Sequence, residues 1–164
     1  MAQLQKIFLG EITNWQQLGG KNVPIVLVNR AQGSGTRATF EKWVMQGKQP
    51  MAAQEQDSTG MVRQIVGSTP GAISYVAFSY IDKTVQGLSV DGVAPTDANV
   101  TTNQWRIWSY EHMYTKGQPK GLTKKFLAYV MSPAIQKKLV LKMGYVPMTQ
   151  MKVVRDANGK VSKQ

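Results

Sequence analysis

The sequence predicts an α/β protein built of strand and helix layers, and three observations predict it. Val23 to Asn29 is a β-branched, almost continuously apolar run of strand length, the pattern of a strand buried on both faces in a parallel sheet. A polar, glycine-containing turn, Arg30 to Gly35, follows it. Beyond the turn, Phe40, Trp43 and Val44 recur at helical spacing. Strand, turn and helix in that order, with further alternation downstream, describe a layered α/β architecture.

Each element can be justified in order. Residues 3–9 read as a short helix ended by Gly10, and Gly19-Gly20 closes the loop behind Trp15. The strand at 23–29 is followed by a helix from Thr36 to about Gln46, with Gly47 as its stop. Residues 47–58 are polar, contain Pro50 and read as a surface excursion without a strand. Met61, Val62, Ile65 and Val66 form the apolar face of a helix over 58–67, capped by Asp57 or Ser58. Thr69-Pro70-Gly71 is a turn, and Ala72 to Ile81 reads as a strand. Residues 82–103 hold turn residues and room for an edge strand. Gln104 to Thr115 reads as a strand, with Trp105 and Trp108 on opposite sides in core packing and His112 partly buried. Leu122 to Met131 is a helix carrying Phe126, Leu127 and Val130. Ser132-Pro133 starts another, which Gly144 ends. The polar tail from Lys152 is expected to fray.

Composition narrows the chemistry. With no cysteine there is no disulfide, thiolate metal site or cysteine nucleophile. His112 is the single histidine and no G-x-S-x-G elbow exists, so hydrolytic and metal-dependent enzymes are disfavoured. No apolar run approaches the roughly 20 residues that span a bilayer. No signal peptide is visible, so export would need a segment outside this chain. The net charge of +11 is lopsided: residues 112–164 hold eleven Lys/Arg against Asp156 alone, whereas the rest is nearly balanced. That third reads first as a solvated lysine face, and second as attraction to an anionic surface. Its lysines are not interleaved with aromatics as in a nucleic-acid module, so no nucleic acid is expected.

The chemistry concentrates between Val26 and Arg37. A buried strand delivers the chain to the carboxyl edge of a sheet, where α/β proteins place ligands. Gly33 and Gly35 let the backbone come close to a ligand. The helix that follows offers free N–H groups and a positive dipole end, which together suit an anion. Ser34 and Thr36 add hydroxyls, and the Arg30 guanidinium can fork onto two oxygens. A P-loop is excluded, because no G-x-x-x-x-G-K-[ST] string exists. Gly33-x-Gly35-x-x-Ala38 satisfies part of a dinucleotide fingerprint, but the stretch before Asp57 does not read as the second strand this requires. A plain strand-to-helix turn with Ser34 or Thr36 as cap also remains open.

Arg30-Ala31-Gln32-Gly33-Ser34-Gly35-Thr36 resembles the R-x-x-G-S-G-T loop of phosphate-binding proteins, the extracytoplasmic receptors of ABC phosphate importers. Four other segments agree. Ile7-Phe8-Leu9-Gly10 through Trp15 is similar to the family's I-F-x-G-x-I-x-x-W. Ser58-Thr59-Gly60 followed by Pro70 to Val76 is similar to its helix and P-G-A-I-G-Y-V strand. The helix pair at 122–143 and Gly144 to Met148 resemble its C-terminal end. The resemblance covers nearly the whole chain. It implies a type II periplasmic-binding-protein-like fold with a three-layer αβα lobe. It also implies a division into a second, inserted lobe (1–95), the C-terminal part of the first lobe (96–151) and a polar tail (152–164).

The implied function is capture of inorganic phosphate at the outer face of the membrane or in the periplasm, for delivery to an ABC permease, without catalysis or cofactor. The implied ligands are Arg30, Gly33, Ser34, Gly35 and Thr36, with Gln32, Arg37, Ser58 and Thr59 as secondary candidates. Family ligands from the N-terminal part of lobe one, including the carboxylate that accepts phosphate's proton, would lie outside this chain. Where many members have Asp two residues after the loop arginine, this chain has Gln32. An amide there can hold Arg30 by one hydrogen bond but cannot neutralise it, so a more positive site is expected. Arg37 opposes the helix dipole, so it reads either as a contact to the anion or partner lobe or as an exposed side chain. Ser58 and Thr59 read as a second helix N-terminus at the site or as a simple cap. Half a first lobe would expose apolar surface, so a homodimer or poor solubility is expected. Two competing functions are a polyanion- or envelope-binding module using the basic third, and a dinucleotide enzyme using Gly33, Gly35 and Ala38.

Overall fold

The computed structural model describes residues 1–164. They divide into two units, one of Met1–Pro95 with Arg106–Trp108, the other of Thr96–Trp105 with Ser109–Gln164.

The first unit is an α/β layer structure. Its centre is strand β1 (Val26–Arg30), flanked by β2 (Gln54–Gln56) and β3 (Ala72–Ile73) in the order β2-β1-β3. Both pairings are parallel, in the registers Arg30 with Gln56 and Leu27 with Ile73. Helix α1 (Ala2–Phe8) precedes the sheet. Helix α2 (Gly35–Phe40), prolonged by a π-helical turn over Glu41–Met45, joins β1 to β2. Helix α3 (Thr59–Ser68) joins β2 to β3.

Strand order fixes the layers. The chain moves from β1 to β2 in one direction, then returns past β1 to β3. Crossovers keep one hand, so a reversal of direction puts the two connecting helices on opposite faces. The packing agrees. Ile7 and Phe8 of α1, Phe40, Val44 and Met45 from the α2 side, and Ile73 and Tyr75 form one buried cluster, against which Ile25 and Leu27 pack. Phe40 stacks on Tyr75 at 4.1 Å between ring centroids and meets Phe8 at 4.5 Å. Val28, one residue on from Leu27, points to the other face, where the fully buried Val62 belongs to α3.

Several expectations need correction. Gln54–Gln56 is a strand, although its polar residues have little β propensity. It sits at an exposed edge, and its register with β1 decides its state. The strand expected over 72–81 stops at Ile73 and gives way to a 3-10 turn at Phe78–Tyr80. Side chains intercept the ladder there. The Ser74 hydroxyl donates to Val28 O at 2.5 Å, and the Arg30 N–H donates to the Tyr75 hydroxyl at 3.3 Å.

In the second unit, helix α4 (Asp97–Thr101), capped by the Thr96 hydroxyl, lies where an edge strand had room. The strand expected over 104–115 is irregular backbone. Trp105 and Trp108 are nonetheless buried, and His112 is exposed rather than partly buried. Helix α5 (Gly121–Val130) is followed by a π-helical segment, Ile135–Val140. The Gln136 amide donates to Val130 O and accepts from the Met148 N–H, so it ties the end of α5 and the turn at Met148 to that segment. The tail does not fray: β4 (Val153–Arg155) and β5 (Val161–Lys163) form an antiparallel hairpin around the Asp156 turn. No helix is long and apolar enough to cross a membrane.

Candidate functional site

Strands β1 and β2 are neighbours whose outgoing helices go to opposite faces of the sheet. Such a switch point opens a crevice beyond the carboxyl ends of the strands, where open α/β sheets bind ligands. The loop after β1 and the turn after β2 both reach that edge.

The β1 loop begins at Arg30 and turns at Gly33, whose φ of +85° is a conformation that glycine adopts without strain. A Cβ added at Gly33 or Gly35 would meet nothing within 4 Å, so no neighbouring group crowds the loop at either position. Ser34 is the N-cap of α2, and its hydroxyl accepts the Arg37 N–H at 3.3 Å. The N–H groups of Gly35 and Thr36 stand at the head of the helix, where no intrahelical acceptor exists. The turn after β2 has the same design: Ser58 caps α3 and accepts the Met61 N–H at 3.1 Å.

Arg30 joins the two helix starts. Its side chain lies on the α3 face of the sheet and is buried. Nε donates to Gln56 O at 3.2 Å, one terminal nitrogen to Asp57 O at 2.6 Å, and the other to the Thr59 hydroxyl at 2.6 Å. Each terminal nitrogen keeps a second N–H for an incoming anion. Gln32 is exposed and is none of these partners. The expectation that its amide holds Arg30 is therefore wrong, because backbone carbonyls of the β2–α3 turn do so.

Arg37 is not the exposed side chain of one of its two readings. It is buried on the α2 face of the sheet and donates to Glu41 at 2.7 Å, Glu55 at 2.6 Å and Arg30 O at 2.7 Å. The hydrogen bond to Glu41 does most to raise its pKa, burial works against it, and Glu55 adds to the rise. Sequence reasoning missed this pairing because Glu55 lies in the strand it did not see. The i,i+4 spacing of Arg37 and Glu41 was the legible half of the signal. Glu41 and Glu55 balance the charge of Arg37, whereas Arg30 is held only by two backbone carbonyls and a hydroxyl and brings an unpaired positive charge to the site.

The dinucleotide reading must also be judged on different grounds. The second strand it needs is present as β2, so that objection falls. However, Glu55 is committed to Arg37, and the Asp57 carbonyl is bound by Arg30. Glu55 is thus tied to Arg37, whereas the bond to Asp57 uses its backbone carbonyl and leaves its carboxylate outside the pair.

Comparison with known proteins identifies the family. A family profile described as a PBP superfamily domain matches residues 1–134. The phosphate-binding protein PstS of Bacillus subtilis is 53% identical over 161 residues, 98% of this chain and 54% of its own length. Among solved structures, a candidate phosphate ABC transporter substrate-binding protein from Clostridium perfringens with bound phosphate superposes with a TM-score of 0.78 at 31% identity, covering 89% of this chain and 61% of that one. An ABC-type phosphate transport receptor from Vibrio cholerae gives 0.71 at 27% identity, covering 88% and 62%. The chain spans about half the length of the relatives it matches.

Proposed function

The chain belongs to the PBP superfamily, and on that premise we propose that it binds inorganic phosphate as part of an extracytoplasmic receptor that delivers it to an ABC permease. The observation that carries the proposal is the meeting of two capped helix starts at one sheet switch point, joined by the buried Arg30 with N–H groups to spare. Phosphate would be held by the N–H groups around Gly33, Gly35 and Thr36, by the Thr36 hydroxyl and by Arg30. The Ser34 hydroxyl would serve as acceptor in its cap and as donor to the anion. Ser58 and Thr59 would shape the neighbouring wall. This is binding without covalent chemistry, in which fixed dipoles replace the water around the anion. We further propose that residues 1–95 correspond to the inserted lobe of such a receptor and 96–151 to the C-terminal part of the other.

The test is calorimetry with phosphate and with sulfate at fixed ionic strength, on this chain and on Arg30→Ala. Phosphate heat that vanishes in the variant is expected. Heat that survives the substitution would remove Arg30 from the site. Equal heat with sulfate would mean that this chain carries the anion clamp without the acceptor that reads phosphate's proton.

A further inference from the structure

The Arg37 side chain makes three hydrogen bonds at the switch point, as many as Arg30, yet it lies on the opposite face of the sheet from the Arg30 guanidinium. A cation in the first turn of a helix opposes the dipole, and a buried charge is costly unless it is paired. Its partners explain why it is there. Through its guanidinium it holds Arg30 O, the point where β1 becomes the loop. Through its backbone N–H it holds the Ser34 hydroxyl, the point where the loop becomes α2. One residue therefore clamps the loop at both ends, and Glu41 and Glu55 anchor the clamp to α2 and β2.

We infer that Arg37 is a positioning residue that presets the Gly33–Thr36 loop for an anion, acting through Arg30 O, Glu41 and Glu55 rather than by touching the ligand. The inference rests on the anion-loop reading above and deepens it. Because Glu41 and Glu55 offset the charge of Arg37, Arg37 adds little direct attraction for an anion, and its effect is on how the loop N–H groups are aimed. Aim depends on position, and position is what Arg37 holds.

Amide hydrogen exchange followed by NMR on the 164-residue chain, without phosphate, tests the clamp. Arg37→Gln should speed exchange at Gly33 to Thr36 by about tenfold, the scale of one lost charge-assisted hydrogen bond, while amides of α3 keep their rates. Arg37→Lys should not restore the loop, because a point charge cannot fork to three acceptors. Arg63→Gln, which breaks the exposed pair with Asp82, is the control and should leave the loop unchanged. Unaltered loop amides, or equal acceleration throughout the first unit, would overturn the inference. Should Arg37→Gln not fold, Glu55→Gln carries the same readout. A titration of Glu55→Gln with inorganic phosphate then separates aim from charge. Weaker binding than wild type supports positioning, whereas tighter binding would mean that Glu55 acts only as a repelling charge. Absence of phosphate binding by the wild type would count against the proposed function and leave the exchange result to decide the clamp.

Discussion

Tyr75 shows how much one side chain does at this sheet edge. It stacks on Phe40 in the core, and its hydroxyl accepts the Arg30 N–H. Burial is the main cause that raises its pKa above the ordinary 10.0, with the Arg30 hydrogen bond working in the opposite direction. A raised folded-state pKa means that the neutral phenol is favoured in the fold. Its contribution is fully present below pH 10 and is lost as pH rises through the folded value. Tyr75→Phe should cost about 1 kcal/mol at neutral pH, one hydrogen bond. The gap to wild type should narrow above pH 10, as read by urea unfolding across that range. A gap that widens with pH would contradict the assignment. Gly71 is the complementary case. Its φ is +80°, and a Cβ there would overlap the Pro24 carbonyl oxygen. Gly71→Ala should lower stability by about 2 kcal/mol or more in the same assay, whereas Gly33→Ala meets strain but no neighbour.

At the scale of elements, α2 and α3 are short helices whose starts matter more than their lengths. Ser34 and Ser58 cap them through the same hydroxyl-to-N3 bond. Ser58→Ala should cost about 1 kcal/mol and fray the first turn of α3, visible as faster exchange at Thr59 to Val62. Helix α5 has the opposite character. It has no buried residue, and Leu122, Phe126 and Tyr129, spaced to share one face, are 82%, 57% and 60% exposed. A contiguous exposed apolar stripe drives association. The expected outcome is a mass by light scattering that rises with concentration, and that Leu122→Glu with Phe126→Glu suppresses. A concentration-independent monomer would remove the dimer expectation.

At the scale of the molecule, much of the design was legible in sequence. The apolar run at 23–29 read as a buried strand, of which Val26 onward lies in β1, and the glycines at 33 and 35 with Ser34 marked a capped loop. Arg30 was identifiable as the loop's cation, because these signals are local: period, cap and turn chemistry are written within a few residues. Strand β2, the partners of Arg30 and the burial of Arg37 were not legible. Gln54-Glu55-Gln56 carries no strand signal of its own and extends because β1 offers it hydrogen bonds. Arg37 is buried because Glu55 comes to meet it across 18 residues of chain. The sequence by itself determined the layered class, the anion-suited loop and the family it resembles, since each depends on neighbours in the chain. Only the tertiary structure decided that one arginine faces each side of the sheet, that Arg37 is paired with Glu41 and Glu55, and that the hairpin at 153–163 closes. Pairing energies are set by which groups the fold brings within hydrogen-bond reach, and no local pattern records that.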